Sequence, residues 1–271
     1  AILAYRTAVV LKPENAYAYF NIANVLKDQG KKQKAIEAYQ KTISIKPNFA
    51  DAYCNMGNVY RDKRKFDKAI ESYNQALLYN PDLILAYNNM GLTFVDQGDF
   101  LKAIEVFKKA ILYKPNYDDA YYNLSRVLLK LKRYEEGIFI LNKKIALEPN
   151  DTKAYLILGN ALKEISFKKT IPNLHENLIK LLEEKLFVRP INISEAIISL
   201  LKLEPSLKKY FQKSYFKKKQ PFKKVFTNLS KQKLLLKFMR VCTITDIEIE
   251  TFLKEQRARL LKDSINMDKV A

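Results

Sequence analysis

The sequence predicts an all-α chain of stacked helix hairpins followed by a smaller helical segment. Three observations predict it. Pro13, Pro47, Pro81, Pro115 and Pro149 stand 34 residues apart, and self-similarity at such a period marks a repeat architecture. Small and apolar residues recur in phase with the prolines at helical spacing. The chain holds only six glycines, and no strand leads into a glycine-rich loop, so nothing calls for a nucleotide cofactor.

Each repeat is counted from the third residue after a proline: Ala16, Ala50, Ile84, Asp118 and Thr152. The fourth position is always tyrosine: Tyr19, Tyr53, Tyr87, Tyr121 and Tyr155. The seventh is Ile22, Met56, Met90, Leu124 and Leu158. The eighth is small: Ala23, Gly57, Gly91, Ser125 and Gly159. The eleventh is Leu26, Tyr60, Phe94, Leu128 and Leu162. These steps fall on one face of a first helix, and the small residue lets a second helix approach closely. In the second half, Ala35, Ala69, Ala103 and Gly137 are followed four residues on by Tyr39, Tyr73, Phe107 and Leu141. Turns lie at Gln29-Gly30, Lys63-Arg64, Gln97-Gly98 and Leu131-Lys132. A proline has no N–H and clashes with the preceding turn, so it ends the second helix and opens the next repeat. Helix pairs are expected near 17–29 and 33–45, 51–63 and 67–79, 85–97 and 101–113, and 119–131 and 135–147, with a last first helix near 153–165.

These columns resemble the tetratricopeptide repeat family, with tyrosine in the place of its usual tryptophan. The resemblance covers residues 1–165. It implies a right-handed superhelix: a half repeat 1–15, repeats 16–49, 50–83, 84–117 and 118–151, and a partial repeat 152–165. Residues 1–15 fit only a second helix, with Ala1, Tyr5, Ala8 and Pro13 in register, and the chain lacks an initiator methionine. The expectation is a fragment cut in mid-repeat.

Beyond Ile165 the register is lost. Residues 166–190 are expected to hold a capping helix near 173–187, because a terminal repeat would otherwise expose its core face. Residues 191–271 are expected to form a basic helical domain. Ser194 is expected to cap a helix reaching Leu203, with further helices at 207–215, at 229–241, and from Asp246 to about Lys262 behind a Thr245/Glu248 capping box. This tail resembles the segment between repeats and catalytic domain in bacterial tetratricopeptide proteins with a C-terminal methyltransferase. No catalytic domain lies within these 271 residues, and the chain itself is read as a non-enzyme without cofactor or metal.

Formal net charge is +19. Within 202–240 thirteen basic residues meet one acid, Glu204, and Tyr210, Phe211, Tyr215, Phe216, Phe222, Phe226 and Phe238 are interleaved. Such a segment binds phosphate backbones or anionic membranes, or else packs its aromatics inside and leaves the lysines as a solvated face. Cys54 and Cys242 form no CxxC pair, so a disulfide framework and a zinc site are unsupported; the expectation is a reduced, cytoplasmic protein. His175, the single histidine, sits beside Glu176 as a surface contact rather than a dyad. Cys54 reads as a small filler.

The candidate site is a polar column on the first helices. Its sixth position is Asn21, Asn55, Asn89 and Asn123; the ninth adds Asn24, Asn58 and Arg126; the thirteenth adds Asp28, Asp62 and Asp96. These positions share a side, which the helical wheel sets across from the tyrosine/glycine face. A carboxamide offers two donors and an acceptor and can pair with the backbone of an extended peptide. The resemblance implies peptide binding in a concave groove, and the repeats of O-linked N-acetylglucosamine transferase resemble these in carrying an asparagine ladder. The aspartates favour basic or hydroxyl-bearing peptides. A clamp on C-terminal carboxylates uses a basic fifth position; here that position is Phe20, Cys54, Asn88, Tyr122 and Leu156, so chaperone-tail binding is not implied. The function expected is protein or peptide recruitment within a longer protein. A second reading is the substrate-recruiting part of a methyltransferase or O-linked glycosyltransferase, and a third is a basic adaptor for nucleic acid or membrane.

Overall fold

The computed structural model describes residues 2–171, 173–184, 189–208, 231–241 and 254. Among the described residues no strand occurs. The chain divides into two compact units, Ala1–Leu131 and Lys132–Ala271.

The first unit holds α1 (Ile2–Leu11), α2 (Ala16–Asp28), α3 (Lys32–Ile45), α4 (Ala50–Asp62), α5 (Phe66–Tyr79), α6 (Ile84–Gln97), α7 (Phe100–Tyr113) and α8 (Asp118–Lys130). Helices α2, α4, α6 and α8 begin at the first position of successive repeats, as the proline register requires. Each second helix stops two residues before its proline. The intervening Lys46, Asn80 and Lys114 are extended, at φ −129°, −139° and −136°, because a following proline ring excludes the helical region. Asn15 and Asp99 cap α2 and α7 by accepting from Ala18 N and Lys102 N. The turn within each hairpin needs one left-handed residue. Gly30 and Gly98 supply it at φ 71° and 84°, and Arg64 adopts it at 55°.

The core of this unit is deepest along the second helices, while Tyr19, Ile22, Tyr53 and Tyr60 of the first-helix columns are only half-buried. Ala35, Tyr39, Ala69, Tyr73, Ala76, Ala103, Phe107 and Ala110 are fully buried. Helices α2 and α3, α4 and α5, and α6 and α7 pack as hairpins, and each hairpin packs on the next. Burying each aromatic contributes about 1.5–3 kcal/mol.

The second unit holds α9 (Tyr134–Leu147), α10 (Thr152–Ala161), a 3-10 turn (Leu162–Glu164), α11 (Leu174–Glu184), a second 3-10 turn (Pro190–Ile193), α12 (Ser194–Leu203), α13 (Pro205–Lys208) and α14 (Lys233–Val241). Asp151 caps α10 through Ala154 N at 2.9 Å. Helix α11 packs on α9, α10 and α14, burying Leu174, Leu178, Leu181 and Leu182 on one side and meeting Leu234, Leu235 and Phe238 among the buried residues. Ser194 departs from its expected capping role: its hydroxyl donates to the Ile191 carbonyl at 2.8 Å, because the preceding 3-10 turn has already set the chain in helical register. The aromatics from Tyr210 to Phe226 and the Thr245/Glu248 box lie outside the described residues.

Candidate functional site

The site is assembled by the close approach of the two helices of each hairpin. A Cβ built on Gly57 would stand 2.7 Å from Tyr73 Cε1, and one on Gly91 2.5 Å from Phe107 Cε1. The eighth position therefore lets the aromatic of the second helix lie flat against the first. In the first two repeats this carries a tyrosine hydroxyl across to the ninth position.

There it meets an asparagine. Tyr39 OH donates to Asn24 Oδ1 at 2.6 Å, and the same oxygen accepts Asn55 Nδ2 from the next repeat at 3.0 Å. The arrangement recurs one repeat on: Tyr73 OH and Asn89 Nδ2 both donate to Asn58 Oδ1, at 2.8 and 2.9 Å. The third repeat has Phe107 and Leu92 in the corresponding places. Asn123 Nδ2 donates instead to Asn88 Oδ1 at 2.9 Å. Burial pushes the Tyr39 and Tyr73 hydroxyls far above the usual phenol range, so both stay protonated donors.

The asparagines at 55, 89 and 123 thus sit at the seams between repeats. Asn21, Asn55, Asn89 and Asn123 are half-buried. The wheel of a single helix set them across from the apolar face; in the stack, the preceding repeat covers part of that side. Each seam bond uses one of an asparagine's two N–H groups. Asn24 and Asn58 are likewise half-buried.

The acidic column lies nearer solvent. Asp28, Asp62 and Asp96 are exposed, as is Arg126. Asp96 accepts Arg61 Nε from the preceding repeat at 2.6 Å, and Asp28 stands 3.6 Å from Lys27 Nζ. The Asp62 backbone carbonyl accepts Lys32 Nζ at 2.9 Å. All ten expected site residues therefore lie on first helices of one unit. The sequence reading missed Tyr39 and Tyr73 as their partners. The signal was present, since tyrosine accompanies asparagine twice and phenylalanine accompanies leucine once.

Tyr53, Met56 and Tyr60 of α4 and Lys68, Glu71, Ser72 and Gln75 of α5 line a cleft of about 220 Å³. Cys54 is buried, and its thiol is pushed up to about 12, chiefly by burial and then by the Asp51 charge; it is a filler rather than a nucleophile at neutral pH. His175 Nε2 lies 3.2 Å from Glu204 Oε1 in the second unit. Among the described residues no group of three His, Cys, Asp or Glu is placed to hold a metal ion, and no helix is long and apolar enough to cross a membrane.

The TPR repeat family matches residues 1–30, 23–63 and 57–98, and the Tetratricopeptide repeat family matches residues 94–162. No curated protein sequence matches the chain. A crystal structure of MamA is similar at 25% identity and a TM-score of 0.51, covering 56% of this chain and 89% of that one. A second structure of MamA protein is 24% identical at a TM-score of 0.50, covering 73% and 96%. YrrB, a TPR protein with an unusual peptide-binding site, is 18% identical at 0.51, covering 76% and 94%.

Proposed function

The chain belongs to the tetratricopeptide repeat family, and we propose that it is a protein-interaction scaffold whose first helices offer a row of carboxamides to an extended peptide. The observation that supports this reading is the row of half-buried asparagines at 34-residue spacing. Asn55, Asn89 and Asn123 are each oriented by a bond to the preceding repeat, and each such bond engages a single N–H of the carboxamide. Side chains already held in one rotamer give up less entropy on binding. YrrB, which shares the fold, has a peptide-binding site, and a comparable use is proposed here.

The test is titration of the full chain with a pool of random capped peptides. Asn55→Ala combined with Asn89→Ala is expected to weaken binding while leaving helicity intact. Equal affinity in the two proteins would remove the row from the site. A wild-type chain that binds none of the pool would overturn peptide recruitment itself.

A further inference from the structure

We propose that Tyr39 and Tyr73 are positioning residues of this site, each fixing a row asparagine of the following repeat through the ninth-position carboxamide between them. The inference rests on the reading of the asparagine row as a peptide site.

Four observations carry it. The geometry occurs twice, with all four bonds between 2.6 and 3.0 Å. Both tyrosines are fully buried, so neither touches a guest and any effect on binding is indirect. The oxygen of each receives two donors and has two lone pairs, which leaves its carboxamide one orientation. The third repeat lacks the hydroxyl and the ninth-position asparagine together, as Phe107 and Leu92. Its seam is made from a different position, Asn88. The hydroxyl and the ninth-position asparagine therefore behave as one unit, and the row is held differently at Asn55 and Asn89 than at Asn123.

The experiment uses the ¹⁵N-labelled full chain and the same peptide pool. In Tyr73→Phe, the side-chain amide protons of Asn89 are expected to exchange faster, while those of Asn55, held through Tyr39, stay unchanged. Affinity for the pool, measured where both proteins are fully folded, is expected to drop about threefold to tenfold, the worth of one hydrogen bond. 4-Aminophenylalanine at position 73 returns a donor to the same place and is expected to restore both readouts. An Asn89 amide indifferent to Tyr73→Phe overturns the proposal, and so does unchanged affinity alongside an altered amide. If the wild-type chain binds no peptide, the row fails as a site, and the amide exchange still decides whether the tyrosine orients it.

Discussion

Phe107 lies across Gly91 so closely that a methyl group on the glycine would stand 2.5 Å from the ring edge. The ring is fully buried, so it has no open space to retreat into. Gly91→Ala is expected to destabilise the fold by about 1–3 kcal/mol, the usual cost of overpacking, despite the better helix propensity of alanine. Gly57→Ala should behave alike against Tyr73. The first repeat already carries Ala23 opposite Tyr39, so a hairpin of slightly wider spacing is possible. Urea midpoints of the two variants check this; unchanged midpoints would mean the hairpins widen without cost.

The left-handed turn residue gives the opposite sign. Arg64 and Lys132 occupy it at φ 55° and 59°, where the same position elsewhere is Gly30 or Gly98. A side chain there costs about 1–2 kcal/mol. Lys132→Gly is therefore expected to stabilise by about 1 kcal/mol once the added freedom of the unfolded chain is deducted. Arg64→Gly should gain less, because the Arg64 guanidinium lies 5.4 Å from the Phe66 ring centroid, a contact worth about 0.5–1 kcal/mol when exposed. The order of the two thermal midpoints is the test, and a loss in Lys132→Gly would refute the strain argument.

Alkali should expose the buried acids. Burial is the first cause that moves the Cys54 thiol from 9.0 up to about 12 and the Tyr87 hydroxyl from 10.0 up to about 12. In the unfolded chain these groups lose protons at their ordinary values. Between about pH 9 and pH 12 the unfolded state has therefore lost more protons than the folded one, and stability falls as pH rises. Below pH 9 the contribution is fully present. The comparison is with Cys54→Ala, which differs from the wild type in this one titrating group. The decline of its urea midpoint from pH 8 to pH 10.5 is expected to be shallower than that of the wild type. Parallel declines would count against a thiol held neutral by burial.

The helices were legible because their determinants are local. A proline, a small residue and an aromatic at fixed offsets place helices α2 to α10 to within a few residues. The ends carry their own chemistry, as at Asn15 and Asp99. Seams between repeats are not local. A wheel drawn for α4 shows where Asn55 points, but not that Asn24 of the preceding repeat waits there. What the sequence did hold was a pairing across columns: Tyr39 with Asn24, Tyr73 with Asn58, Phe107 with Leu92. Position-by-position reading treats the first member as core and the second as surface, and so separates two ends of one hydrogen bond. Ser194 failed for a related reason. A capping residue is recognised by the helix after it, whereas here the turn before it decided its bond.

Lys144 is the charge that the repeat pattern does not foresee. Its counterparts Ala76 and Ala110 are small and fully buried, and Lys144 is equally buried at 1% exposure. Its ammonium lies 2.8 Å from Glu148 Oε2 and 3.4 Å from Asp151 Oδ2, and the Asp151 side chain is itself only 6% exposed. Removing one member of such a pair takes a counter-charge from the other in a site shielded from water. Lys144→Met keeps the volume and is expected to cost about 3–5 kcal/mol, because the buried Asp151 carboxylate loses the ammonium beside it. Asp151→Asn retains an oxygen able to cap α10. Adding it to Lys144→Met should recover most of the loss, because a neutral pair of similar shape needs no compensation. A double-mutant cycle on urea midpoints at neutral pH reads the coupling directly. A double variant as unstable as Lys144→Met alone would place the cost in packing around position 144 rather than in the lost ion pair.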